Sequence, residues 1–394
     1  MISFEEARVL IARQVVLSGD ELVDVEEALG RVLAEEVRAD RDYPPFNRAA
    51  MDGYALRLED WNAGLREYQI AETILAGQPA SKEITKGFCY KIMTGAAVPL
   101  SANFVIRVED SVRAGQLVTL HAGTVKVYMN IARQGEDFLA GQLMIGSHIR
   151  LSPQLISMLA AVGRQQVKVK KLPAVAVLTT GDEVVPIGQE VLPYQIRNSN
   201  SYLIRSMLRE LGHIPEFIAH VPDDKELIKD ALEQALKSEL VIINGGVSAG
   251  DADYVPDLLA ALQVRKLFHK VAIRPGKPVW VGVKPNGGLV FALPGNPFSC
   301  MVTFHLFVKL FLELSQGLHM PVMLKLTLAT ERLKKVNLNE FFPVRLDPQG
   351  MTLYPVAING SGDIGLGRYA QGIALHPLEK STLFPGDLVD FFFL

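Results

Sequence analysis

From residue 174 onward the sequence alternates short apolar runs with amphipathic stretches, and this alternation leaves few folds open. Residues 174–180 read as a strand, Leu203, Ile204, Met207, Leu208 and Leu211 stripe a helix, and 217–221 is a second strand. Leu227, Ile228, Ala231, Leu232, Ala235 and Leu236 stripe another helix, with Asp223 placed to cap it. Strands follow at 240–243, 271–273, 279–283 and 289–293, and Asn296-Pro297 opens a further helix. That order predicts a three-layer α/β domain with right-handed crossovers, a fold that binds ligands beyond the carboxyl ends of its strands. The stretch 240–254, LVIINGGVSAGDADY, is its centre: Gly245, Gly246 and Gly250 let backbone approach a ligand, while Ser248, Asp251 and Asp253 put a hydroxyl and two carboxylates at the strand's end.

The remaining chain has other periods. At 394 residues it is long enough for about two to three domains. Ser3 and Glu6 form a capping box that predicts a helix to about residue 16, and Val25, Ala28, Leu29, Val32 and Leu33 mark the apolar face of a second. Pro44-Pro45 breaks this pattern, and strands are expected at 68–74, 88–93, 104–108, 117–120 and 125–128. Ser152, Pro153 and Gly163 then frame a helix. The β-rich segment 46–140 therefore reads as an insertion in a helical part made of 1–45 and 141–172. The α/β part spans 173–320, and Gly317 and Pro321 mark a linker to 321–394, whose short runs at 324–329 and 387–393 predict a small β-barrel or sandwich.

Composition narrows the function. Apolar residues make up 49% and charged residues 21%, enough apolar material for several cores. A formal net charge of -3 provides neither the basic field of a nucleic-acid binder nor a polybasic membrane anchor, so any phosphate site is local. Cys89 and Cys300 have no metal-ligand spacing and point to a reducing cytoplasm; the opening residues lack the basic-then-apolar order of a signal peptide. The apolar run 298–314 is interrupted by Thr303, His305, Lys309 and Glu313, which favours an interior or interface helix over a membrane span.

Four polar, flexible segments fall at predicted strand ends or helix starts: 179–183 (TTGDE), 197–200 (RNSN), 245–253, and Pro294-Gly295-Asn296-Pro297. Each alone is an ordinary turn; together, three converge at the ends of one sheet and the fourth offers helix N-terminal amides to an anion. Lys270, Arg274 and Lys277 add three cations, and in a strand Lys270 and Arg274 point to one face. Cations beside carboxylates suit a phosphorylated ligand held with Mg²⁺.

These segments, with 270–278 (KVAIRPGKP), 47–54 (NRAAMDGY), 91–99 (KIMTGAAVP) and Gly135-Glu136-Asp137, resemble the MoeA/gephyrin family of molybdopterin molybdenumtransferases, in the family's order and over almost the whole chain. The resemblance implies a multidomain α/β protein: a three-layer, molybdopterin-binding-like α/β domain, a helical N-terminal part with a β-rich insertion, and a C-terminal β-barrel. It implies a homodimer that inserts molybdate into adenylylated molybdopterin with Mg²⁺ and release of AMP. Carried onto this sequence, the family's catalytic residues are Asp52, Thr94, Asp137, Glu183, Asp223 and Asp253, with Glu183 and Asp253 as Mg²⁺ ligands. Substrate and anion binding falls to Gly245, Gly246, Ser248, Gly250, Lys270, Arg274, Pro294, Gly295, Asn296 and Ser361. Departures stand at Ala132 and Pro343, where arginines are usual, and at Asn198, where an Asp is usual. The α/β part alone also resembles molybdopterin adenylyltransferases and CinA-type proteins, which lack the segments 1–170 and 322–394 in this arrangement; a non-catalytic scaffold is the rival of another class.

Overall fold

The computed structural model describes residues 1–246, 254–320 and 323–394. At its centre is a six-stranded mixed sheet in the order Phe217–Val221, Val175–Thr180, Leu240–Asn244, Leu289–Leu293, Trp280–Val283, Arg265–His269. The first four strands are parallel and the last two pair antiparallel. Three of the parallel strands are buried at every position, which is why they appear in the sequence as continuous apolar runs. Their side chains still alternate. Val175, Val177, Leu240, Ile242, Leu289 and Phe291 join one core with helices Phe4–Ala12, Ser199–Glu210 and Pro297–Thr303. Ala176, Leu178, Val241, Ile243, Val290 and Ala292 join the other with helices Lys225–Ala235 and Val255–Ala261. The three layers follow from this period of two, each fully buried Val, Leu or Ile contributing about 1.5–3 kcal/mol.

The helix opened by Asn296-Pro297 continues through a π segment, Phe304–Val308, to Lys309–Ser315. It is long and apolar enough to cross a membrane, but 72% of its most apolar window is buried. Phe304, Phe307 and Leu312 lie in the core, so it is an interior helix.

Ahead of this unit, a six-stranded sheet runs Phe104–Arg107, Gly53–Leu56, Phe88–Ile92, Glu67–Ile74, Leu117–Leu120, Ser111–Ala114. After it, strands Leu324–Leu328, Asn339–Leu346, Thr352–Pro355, Gly372–His376 and Leu388–Phe393 close into a barrel, because Asn339–Leu346 pairs with both Thr352–Pro355 and Gly372–His376.

Several expectations need correction. The first helix, capped by Ser3 as predicted, ends at Ala12. No second N-terminal helix forms over 25–33 beyond the turn Val25–Glu27. Instead Asp20–Asp24 pairs with Gln166–Lys170, and the amides of Gly30 and Leu33 donate to the carbonyls of Leu151 and Ile149. Partners more than a hundred residues away outcompete the local helical pattern. Residues 125–128 form no strand; Tyr128 takes φ 61. The strand expected at 271–273 is Ile273–Arg274, and it pairs with Asn339 and Glu340 of the barrel rather than joining the central sheet. The cap of helix Lys225–Ala235 is Asp224, whose carboxylate accepts from the amides of Glu226 and Leu227; Asp223 is one residue too early.

Candidate functional site

The carboxyl ends of the parallel strands are tied together by amide side chains. Asn244, the last residue of its strand, donates from Nδ2 to the carbonyl of Pro294, 2.8 Å. Asn200 Nδ2 donates to Asn244 Oδ1, 2.8 Å, and to the carbonyl of Gly295. Asn198 caps helix Ser199–Glu210 through Oδ1, and its Nδ2 donates to Thr179 Oγ1, 2.9 Å. Asparagine suits this position because the cap needs an acceptor and Thr179 Oγ1 receives a donor, and one side-chain amide supplies both. Three of the four polar segments thus meet at one rim.

On the neighbouring strand ends, Asp182 Oδ1 accepts the amide of Asp223, 2.9 Å, linking the ends of Val175–Thr180 and Phe217–Val221. Glu183 is exposed beside them, and Thr180 Oγ1 is buried with no partner. Gly245 (φ 99) and Gly246 (φ 64) pass over this hydroxyl: a Cβ at 245 would lie 2.8 Å from the Thr180 carbonyl oxygen, and one at 246 would lie 2.7 Å from Val255. Glycine is required by both conformation and space. Ser248, Gly250, Asp251 and Asp253 lie outside the described residues.

The segment 294–297 also leads into the largest cavity described, about 720 Å³, between the α/β unit and the barrel. Arg274, Lys277, Pro294, Asn296 and Ser299 line one wall; Arg332, Glu340, Pro343 and Ser361 belong to the other. Asn296 Nδ2 donates to Ser361 Oγ, 3.0 Å, and the amide of Phe298 donates to the Ser361 carbonyl, so the helix N-terminus expected to face an anion is partly spent on the barrel. Lys270 takes φ 69 beyond the end of strand Arg265–His269 and is not part of the cavity lining. The expectation that it shares a strand face with Arg274 is therefore wrong: the chain turns between them.

The barrel wall carries charges that sequence reading missed. Arg332 Nη2 lies 3.2 Å from Glu340 Oε2, and Arg274 Nε lies 3.8 Å from Glu340 Oε1. Arg332 also lies over the Phe342 ring, 4.1 Å from its centroid, and burial lowers its pKa while Glu340 raises it. His376, fully buried, is pushed down to about 4, first by burial and then by Arg332 and Lys334. A histidine closing the otherwise apolar strand Gly372–His376 was the one sequence sign of this cluster. Of the departures, Pro343 is buried in its strand and lines the cavity, whereas Ala132 pairs directly with Arg48, so a cation already stands across from it.

Asp52 and Thr94 are bonded to each other beside the N-terminal sheet. Asp52 Oδ1 accepts from the Thr94 amide, 2.6 Å, and from Thr94 Oγ1, 2.7 Å, and these bonds, with Lys91 nearby, hold the carboxylate below its usual pKa. Asp137 is exposed, and its amide donates to the Tyr43 carbonyl. Among the described residues no hydrogen bond or ion pair joins Asp52 or Thr94 to Glu183 or the cavity. Cys89 and Cys300 are free and buried, and burial raises both thiols to about 12, which leaves them unreactive.

Fold and site together define a multidomain α/β protein with a cationic cavity at the junction of a strand-end rim and a barrel. Comparison makes this specific. Residues 2–163 match the MoeA N-terminal region (domain I and II), and residues 176–313 match the probable molybdopterin binding domain. A molybdopterin molybdenumtransferase of Synechocystis sp. is 31% identical over 398 residues, covering 100% of both chains. One from Synechococcus elongatus is 37% identical over 342 residues, 84% of each chain. The crystal structure of the molybdopterin biosynthesis moeA protein from Pyrococcus horikoshii OT3 superposes with a TM-score of 0.84 at 29% identity, covering both chains in full. The chain belongs to the MoeA family.

Proposed function

We propose that this protein inserts molybdate into adenylylated molybdopterin, with Mg²⁺ and release of AMP, during molybdenum cofactor biosynthesis, acting as a cytoplasmic homodimer. The proposed domains are 1–45 with 141–172, 46–140, 173–320 and 321–394. The observation that carries the reading is the continuity of the asparagine-tied rim with a cavity bearing Arg274, Lys277 and Arg332. The rim lies where a phosphorylated ligand sits in α/β sheets, with its asparagine amides holding the strand ends in place, and the cavity presents cations of the kind that hold a tetrahedral oxyanion. In this reading water attacks the phosphoanhydride over the rim, its oxygen going to AMP while the pterin keeps its own phosphate, and the dithiolene sulfurs of the pterin, rather than Cys89 or Cys300, bind molybdenum.

The residues fit Mg²⁺ by donor chemistry. Glu183 is an exposed carboxylate beside Asp182 and Asp223, with the unpartnered Thr180 hydroxyl below. Among the described residues no three carboxylate, His or Cys groups cluster to hold a metal. That suits an ion bound through one or two carboxylates, substrate phosphates and water. Glu183 and Asp253 would hold it, and the ion would neutralise the phosphate charge that develops as AMP leaves.

Asp52 and Thr94 flank strands Gly53–Leu56 and Phe88–Ile92 of the N-terminal sheet, and among the described residues no hydrogen bond or ion pair joins them to Glu183, which supports a site completed by the partner's N-terminal lobe. Incubation with adenylylated molybdopterin should release AMP only when molybdate and Mg²⁺ are both present. Release indifferent to molybdate would overturn the assignment, and no release from folded protein would favour a scaffold.

A further inference from the structure

We infer that Glu340 is a positioning residue of the oxyanion cavity: its carboxylate aims the Arg274 guanidinium into the cavity, and Arg332 and His376 lock the carboxylate in place. The inference rests on the reading of this cavity as the molybdate site. Strand register brings three of the four residues into line, with Glu340 paired to Arg274 on one side and to His376 on the other. Arg332 enters from the short strand Arg332–Leu333.

Each carboxylate oxygen faces a different guanidinium, Oε1 toward Arg274 Nε at 3.8 Å and Oε2 toward Arg332 Nη2 at 3.2 Å. Arg332 Nη1 lies 2.8 Å from His376 Nδ1, and His376 Nε2 lies 3.0 Å from the Lys380 carbonyl oxygen. A guanidinium only donates and a carbonyl only accepts, so the imidazole is the neutral tautomer with its proton on Nε2. Glu340 and Arg332 are 15% and 17% exposed, whereas Arg274 is 53% exposed and borders the cavity. The chain from Lys380 to Glu340 is therefore fixed, and Arg274 is the member free to meet a ligand. Contact through Nε leaves its terminal nitrogens for an oxyanion.

A carboxylate lining an anion cavity makes the test one of sign. If Glu340 acted only as a charge, removing it would strengthen anion binding, because the cavity would become more positive. If it positions Arg274, removing it weakens binding despite that gain.

Isothermal titration with molybdate on the full-length protein separates the two. Arg274→Ala should weaken molybdate binding, and Glu340→Gln should weaken it by about ten-fold. The double variant should bind within about two-fold of Arg274→Ala alone, since the carboxylate works through that side chain. In turnover, the effect of Glu340→Gln should fall mainly on the molybdate KM. Should Glu340→Gln fail to fold, Glu340→Asp, which keeps the charge and shortens the arm, carries the same expectations. Tighter or unchanged binding by the Glu340 variant, or an effect additive with that of Arg274→Ala, would overturn the positioning role. Unchanged binding by Arg274→Ala itself would overturn the cavity reading beneath it.

Discussion

Asp52 shows how a single residue is tuned. It is exposed, so neither burial nor packing sets its charge; two donors from Thr94 do. Thr94→Val keeps the amide bond and deletes the hydroxyl, so the Asp52 carboxyl should titrate at higher pH than in the native protein while remaining below an unbonded aspartate. Native Asp52 protonates at lower pH than an ordinary aspartate because of its Thr94 bonds, and the variant should protonate earlier. An NMR titration of the Asp52 carboxyl checks this, and an unchanged midpoint would mean that the hydroxyl does not tune it. The same scale explains what was readable in the site. Arg274 and Asn296 stand in glycine- and proline-marked segments that show in one dimension. Glu340 and Arg332 line the cavity only because the barrel's register carries them there, and no local pattern distinguishes them from solvated strand charges.

Among the elements, the turn after strand Leu240–Asn244 is the most constrained. Gly245→Ala forces a side chain into φ 99 with its Cβ 2.8 Å from the Thr180 carbonyl oxygen, so the variant should lose about 1–3 kcal/mol of stability. A lower urea midpoint at unchanged slope is the expected readout, and native stability would show that the loop yields without cost. Strands at this rim were legible because both faces are covered, so burial writes them as unbroken apolar runs. Residues 25–33 were not, because their hydrogen bonds go to 149–151 and 165–170, and a window of ten residues contains none of those partners. Helix caps fall between these cases: sequence places the cap at Asp223, within one residue of Asp224, and the backbone gives the role to Asp224.

At the scale of the whole molecule, three histidines, His213 and His376 buried and His305 half-buried, link stability to pH. His213, His305 and His376 are each lowered from 6.5 to about 4, chiefly by burial. The unfolded chain takes up these protons near pH 6.5 while the folded chain resists until about 4, so stability is full above 6.5 and falls as pH drops toward 4. Each imidazole contributes roughly 3 kcal/mol over that window. Urea unfolding at stepped pH should show the decline, and a flat profile would contradict the buried, neutral assignment.

In the function proposed above, one reaction centre is assembled from the α/β unit of one chain and the N-terminal lobe of another. Two variants test it directly: Asp52→Asn, which spoils the lobe's contribution, and Arg274→Ala, which spoils the cavity's. Each alone should be nearly inactive in molybdate-dependent AMP release. When the two are mixed and allowed to exchange subunits, about half of the dimers are mixed and each has one intact centre, so activity should return to about a quarter of the native level. Mixing that restores nothing, although exchange is verified by differential labelling, would show that each chain builds its centre alone.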